Sequence, residues 1–149
     1  MMMGKVLADK GKRTAIWLIF LAYVAILLKL TVFRYGFGIY EHFSGKLNLE
    51  LFTNYIPIIK EGHWFDFVYL FFGNIVWFIP WGLFFRAFLK QPAWISILSG
   101  TLLSVLIETL QYIFAVGDCE IDDVILNTIG AVIGCAVGTA FLLRRKRGY

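Results

Sequence analysis

Glu108 and Gln111 stand one helical turn apart inside a long apolar stretch, Ala93–Ala115. A carboxylate near the middle of a membrane span costs about 2.5–3.5 kcal/mol on insertion scales. A group kept at that cost is paired, protonated or acting on something, so its neighbours define its chemistry. Asp122 and Asp123 open the next apolar run, Asn127 follows one turn later, and Asn74 lies early in the preceding run. Carboxyls gathered in one place need a compensating cation or a bound proton. Glu108 and Asp123 are therefore the candidate catalytic groups, suited to general acid or base work. Asn74, Gln111, Asn127 and Asp122 are candidates for binding substrate oxygens, and Arg34 for binding a phosphate. Lys29 and Arg34 are the candidate counter-charges, and Lys29 fits equally a snorkelling role at the outer headgroups. The competing reading is structural, since amides and hydroxyls between membrane helices also act as glue worth about 0.6–2 kcal/mol.

The elements that must carry these groups are membrane helices. Apolar residues make up 60% of the 149-residue chain, against about 45–50% in soluble domains. Four stretches reach the ~20 residues that span a bilayer: Thr14–Phe33, Phe67–Phe88, Ala93–Ala115 and Ile121–Leu143. The expectation is an all-α membrane protein of four transmembrane helices, forming a single domain over residues 1–149. Lys12 and Arg13 before the first run imitate a signal peptide, but the run exceeds an h-region of about 7–15 residues and lacks a small-residue cleavage site. It reads as a retained span.

Basic residues set the orientation. Lys5, Lys10, Lys12 and Arg13 precede the first span, and Arg144, Arg145, Lys146 and Arg147 follow the last. With Arg86 and Lys90, they place both termini in the cytoplasm by the positive-inside rule. Tails that directly flank apolar spans do not form a nucleic-acid surface. The segment 34–66 is then an outer loop. It is rich in aromatics such as Tyr35, Tyr40, Phe52, Tyr55, Trp64 and Phe65, which favour the headgroup zone. His42 and His63 lack metal-ligand spacing, no metal ligand is assigned, and the cofactor is left open, as is a divalent cation at Asp122 and Asp123. About 16 residues of mostly helical rise, roughly 24 Å, separate Cys119 from Cys135, too far for a disulfide.

Helical rise places the polar groups in one layer. Glu108 lies roughly 10 Å below the outer end of its span, Asn74 roughly 10 Å and Asn127 roughly 9 Å. Thr101, Ser104, Glu108 and Gln111 form one stripe. Asp123, Asn127, Gly130, Gly134 and Gly138 share another face, whose glycines invite close helix packing. Pro80 predicts a kink in the second span.

Four ordered motifs then carry a resemblance. Asn74-Ile-Val-Trp-Phe-Ile-Pro-Trp-Gly82, Ile107-Glu-Thr-Leu-Gln111 and Ile121-Asp-Asp-Val-Ile-Leu-Asn-Thr-Ile-Gly130 resemble motifs of VanZ-like membrane proteins, and Thr31-Val-Phe-Arg34 is similar to another. Asn48 is similar to a loop asparagine of the family. Many relatives carry an arginine where Gly117 or Asp118 stands here. The resemblance implies a multi-pass protein of the bacterial cytoplasmic membrane, linked through the family's name to low-level resistance to teicoplanin, a lipid-tailed glycopeptide. It implies no particular reaction.

Two functional classes remain open. The first is an enzyme acting on an outer-leaflet lipid head group or lipid-linked envelope precursor. The second is a non-catalytic protein that binds or shields against a lipidated antibiotic or envelope partner through the aromatic loop. Membrane lipids are partners in both, and the oligomeric state is left open. A transporter ranks last, because the ionisable groups stop in the outer half of the spans.

Overall fold

A computed structural model describes residues 2–33 and 45–148. In chain order its elements are α1 (Met2–Thr31), β1 (Leu47–Asn48), α2 (Tyr55–Lys60), α3 (Trp64–Leu83), a π-helical turn Phe84–Phe88, α4 (Ala93–Phe114), β2 (Cys119–Glu120) and α5 (Ile121–Lys146). Four helices are long and apolar enough to cross a membrane: Lys10–Thr31, Trp64–Phe88, Ala93–Phe114 and Ile121–Lys146. The chain is thus an all-α, multi-pass membrane protein. Its spans lie where hydrophobic run length places them, extended at several ends by charged or aromatic residues.

α5 is the most enclosed span and α1 the least. The glycines explain the position of α5. A Cβ on Gly130 would meet the backbone carbonyl of Ile75, and one on Gly134 that of Ile79. From the other side, a Cβ on Gly82 would meet the carbonyl of Ala131. α3 and α5 therefore touch backbone to backbone, as small residues at membrane interfaces permit.

The α-helix continues through Pro80 to Leu83. A π-helical turn, Phe84–Phe88, follows it.

α1 joins this pair through an aromatic seam. Phe20 stacks on Phe84 with centroids 3.6 Å apart, Trp17 sets its edge on Phe84 at 5.1 Å, and the Tyr23 hydroxyl donates to the Trp77 carbonyl at 2.6 Å. Leu27, Val32, Phe78 and Ile107 form the buried core above the seam.

Gly134→Ala tests the helix contact. It should destabilise the protein by about 1–3 kcal/mol, the usual cost of overpacking, seen as a lower unfolding temperature in detergent. Gly73→Ala is the control, because nothing lies within 4 Å of its added Cβ. There the helix should gain about 0.5–1 kcal/mol.

Candidate functional site

The site is built where α4 ends and α5 begins. Ala115 closes α4 in the left-handed conformation, φ 51°, and the chain turns into β2. β2 pairs in parallel with β1, Leu47 opposite Cys119 and Asn48 opposite Glu120. The Cys119 N–H donates to the Lys46 carbonyl at 2.8 Å. Asn48 shapes the next turn: its Oδ1 accepts the Glu50 N–H at 3.1 Å and its Nδ2 donates to Thr53 Oγ1 at 3.1 Å. Such a local turn is what a short amide side chain favours. The Phe52 N–H then donates to Asp122 Oδ2 at 2.7 Å, and Asn54 Nδ2 donates to Glu120 Oε1 at 2.8 Å.

Residues 45–60 are thereby tied across the helix ends as a roof. Trp64 and Phe65 are exposed, but Tyr55 is buried beneath the roof, where its ring meets Phe67 and Phe71 edge-on.

Under the roof lies a cavity of about 220 Å³, with Glu108, Asp123, Asn74, Gln111 and Asn127 all on its wall. α3 brings Asn74, whose Nδ2 donates to Asp123 Oδ1 at 2.6 Å. α4 brings Glu108, whose Oε2 accepts the Glu120 N–H at 2.8 Å. α5 brings Asn127, whose Nδ2 donates to Ser104 Oγ at 2.8 Å. Two amide oxygens on this wall, Gln111 Oε1 and Asn127 Oδ1, are buried without a hydrogen-bond partner among the described residues. Buried acceptors are nearly always satisfied, so an occupant with O–H or N–H donors fits this wall.

Asp122 is placed differently from the other candidates. It is 1% exposed and lies off the cavity wall, holding the roof through Phe52. Residue 34, the candidate phosphate ligand, lies outside the described residues. Lys29 does not reach the carboxyls as a counter-charge, because its ammonium donates to the Phe33 carbonyl at 2.9 Å. Sequence reasoning alone does not point to Glu120, Asn54 or Tyr55, yet all three line the cavity. The only signal for Glu120 was its place beside the Asp-Asp pair, and none marked the other two.

The charge balance is one-sided. No Lys, Arg or His among the described residues lines the cavity, while Glu108, Glu120 and Asp123 do. Burial, and then the charges of Asp118 and Asp122, push the Glu120 carboxyl above its ordinary range, against the hydrogen bond from Asn54. The Tyr55 hydroxyl is raised too, by burial first and then by Asp123, Glu120 and Asp122. Burial, with Glu108 and Glu120 next, also raises the Cys119 thiol. That keeps Cys119 protonated and unsuited to nucleophilic attack. Among the described residues, no group of three or more His, Cys, Asp or Glu is arranged to hold a metal ion.

A bundle of membrane helices that gathers acidic and amide side chains under a strand-tied roof defines a class of integral membrane protein. Within it, the family model described as VanZ/LLP1 matches residues 20–143. The chain belongs to the VanZ/LLP1 family. It is 30% identical over 116 residues to "Protein VanZ" of Enterococcus faecium, an alignment covering 75% of this chain and 66% of that protein. The chain thus spans slightly under two thirds of that relative's length. No solved structure matches it.

Asp122→Ala should loosen the roof without emptying the cavity wall. Losing this half-buried bond costs about 1–3 kcal/mol, so the Phe52 amide should lose hydrogen-exchange protection while α3 and α5 keep theirs. The Glu120 carboxyl gives a pH signature. Because its folded pKa is raised, its contribution to closure is full below the unfolded value and lost as pH rises through the folded one. Roof protection at Asn54 should therefore fall with rising pH above the ordinary carboxylate range, and Glu120→Gln should flatten that fall.

Proposed function

We propose that this protein sits in the bacterial cytoplasmic membrane with both termini in the cytoplasm, and that its roofed cavity takes the polar head of an outer-leaflet lipid or lipid-linked envelope precursor. The observation that carries this is convergence. Three membrane helices and the roof direct three carboxyls and four amides onto one small cavity with no described cation. An orientation with basic tails inside follows the positive-inside rule and puts the roof on the outer face.

Size and charge narrow the occupant. At about 220 Å³, the cavity is below the ~300–1,000 Å³ of drug-sized ligand pockets. A lipid-tailed glycopeptide does not fit inside it, whereas part of a head group does. Carboxyls and unpaired amide acceptors favour hydroxyls or an amine over a phosphate. Glu108 and Asp123 are the groups we assign to proton exchange with that head, and Asn74, Gln111 and Asn127 to its orientation. Resistance to teicoplanin, as the family's name implies, would then arise indirectly, from an altered or occupied envelope component.

A second reading rests on a different observation. Trp64 and Phe65 are 60% and 80% exposed beside the roof, a surface on which a lipidated antibiotic could be held without any reaction.

Cells carrying wild type, Glu108→Gln, Asp123→Asn or Trp64→Ala separate the two. On the proposed reading, Glu108→Gln and Asp123→Asn return teicoplanin susceptibility to that of cells lacking the protein, and they alter the extracted lipids or precursors. Trp64→Ala changes little. If Glu108→Gln leaves both susceptibility and lipid profile at wild-type values, the cavity has no such role. If Trp64→Ala is the more damaging change, the surface reading takes its place.

A further inference from the structure

The end of the bundle opposite the roof carries a second polar cavity, about 490 Å³, lined by Arg86, Lys90, Thr139, Arg145 and Lys146 together with Leu142 and Leu143. No carboxylate of a described residue lies within ion-pair distance of any of these four cations. Arg145 and Lys146 also sit in the last turn of α5, where they complement the carbonyl ends of the helix. That explanation does not extend to Arg86, which comes from another span.

Arg86 is held in place by neutral groups. The π-helical turn Phe84–Phe88 contains it, and one extra residue per turn rotates its side chain relative to a regular helix; such turns are frequent at functional sites. Gly138 makes the space: a Cβ there would lie 3.0 Å from Arg86 Cβ and 3.1 Å from Cγ. Arg86 Nε donates to Thr139 Oγ1 at 2.8 Å and Nη1 donates to the Gln91 carbonyl at 3.0 Å. Of the five N–H donors of a guanidinium, those two bonds leave three. The result is a fixed, uncompensated guanidinium in a basic cavity, the arrangement that binds phosphate through paired N–H groups.

Arg145 belongs to a second lining as well. It edges an apolar groove of about 590 Å³ between α1, α3 and α5, walled by Phe20, Leu83, Phe88, Val137 and Phe141. The basic cavity and the apolar groove meet at that residue.

We propose that this pair of cavities is a binding site for one anionic phospholipid, its phosphate held by Arg86, Lys90, Arg145 and Lys146 and an acyl chain laid in the groove behind Arg145. Charge complementarity selects an anionic head, and the adjoining groove selects a lipid over free phosphate. The site is separate from the roofed cavity, and its test does not depend on what that cavity binds.

The test is native mass spectrometry of the purified full chain in detergent, titrated with phosphatidylglycerol, phosphatidylcholine or glycerol 3-phosphate. Wild type should hold phosphatidylglycerol at least about tenfold more tightly than phosphatidylcholine, and more tightly still than glycerol 3-phosphate. The triple change Lys90→Gln, Arg145→Gln, Lys146→Gln, which leaves Arg86 and its helix contacts intact, should lose about tenfold or more of the phosphatidylglycerol affinity. The double change Arg144→Gln, Arg147→Gln, which removes tail charge outside the cavity, should lose little. Equal binding of the two lipids, equal loss in both variants, or glycerol 3-phosphate binding as tightly as phosphatidylglycerol would each overturn the proposal.

Discussion

The separation of α3 and α5 governs the whole molecule. Gly82, Gly130 and Gly134 let the two backbones meet where any side chain would collide with a carbonyl. At the outer edge of that contact, the same closeness brings Asn74 Nδ2 within 2.6 Å of Asp123 Oδ1. In the opposite direction it carries Gly138 against Arg86. Packing in a membrane has no hydrophobic drive between helices, so close van der Waals contact and interhelical hydrogen bonds must supply it. Here one interface provides both, and the polar groups at either end inherit their positions from it.

The acidic end shows how a membrane protein tolerates carboxyls without cations. Glu108 accepts a backbone N–H from Glu120, Asp122 one from Phe52, and Asp123 an amide from Asn74. Each donor is neutral, so the bonds satisfy lone pairs without cancelling charge. The roof and two of the carboxyls consequently depend on one another: Asp122 and Glu120 hold Phe52 and Asn54, and those two side chains meet these donors only when the roof is closed. The far end is the electrostatic complement, with Arg86 held by a hydroxyl and a carbonyl group.

Much of this was legible from residue types and spacing. Run length located four spans, and the three-four-three spacing of Thr101, Ser104, Glu108 and Gln111 marked a single stripe. Of these, Ser104 and Glu108 are buried, and Thr101 meets Thr128 across the helices at 3.0 Å. Equal depths placed Asn74, Glu108 and Asn127 in one layer. The role of Asp122 was not legible, because two adjacent carboxyls on a helix point about 100° apart and composition does not say which faces the cavity. Nor were Asn54 and Tyr55, which reach the site only after a loop folds back across the helix ends. Lys29, open in the sequence between a counter-charge and a snorkelling role, donates to a nearby carbonyl, as a long flexible stem permits.

The sequence by itself determined which segments enter the membrane, which faces are small or polar, and how deep each polar group lies. Those properties follow from local periodicity and transfer free energy, which neighbouring residues along one helix decide. Only the tertiary structure decided that residues 45–60 form a roof, that Glu120 joins the cavity while Asp122 leaves it, and that Arg86 turns into a basic cavity through a π-helical turn. Each of these depends on pairing between segments far apart in the chain, and hydrogen bonds such as Phe52 to Asp122 exist only once both partners have been brought together.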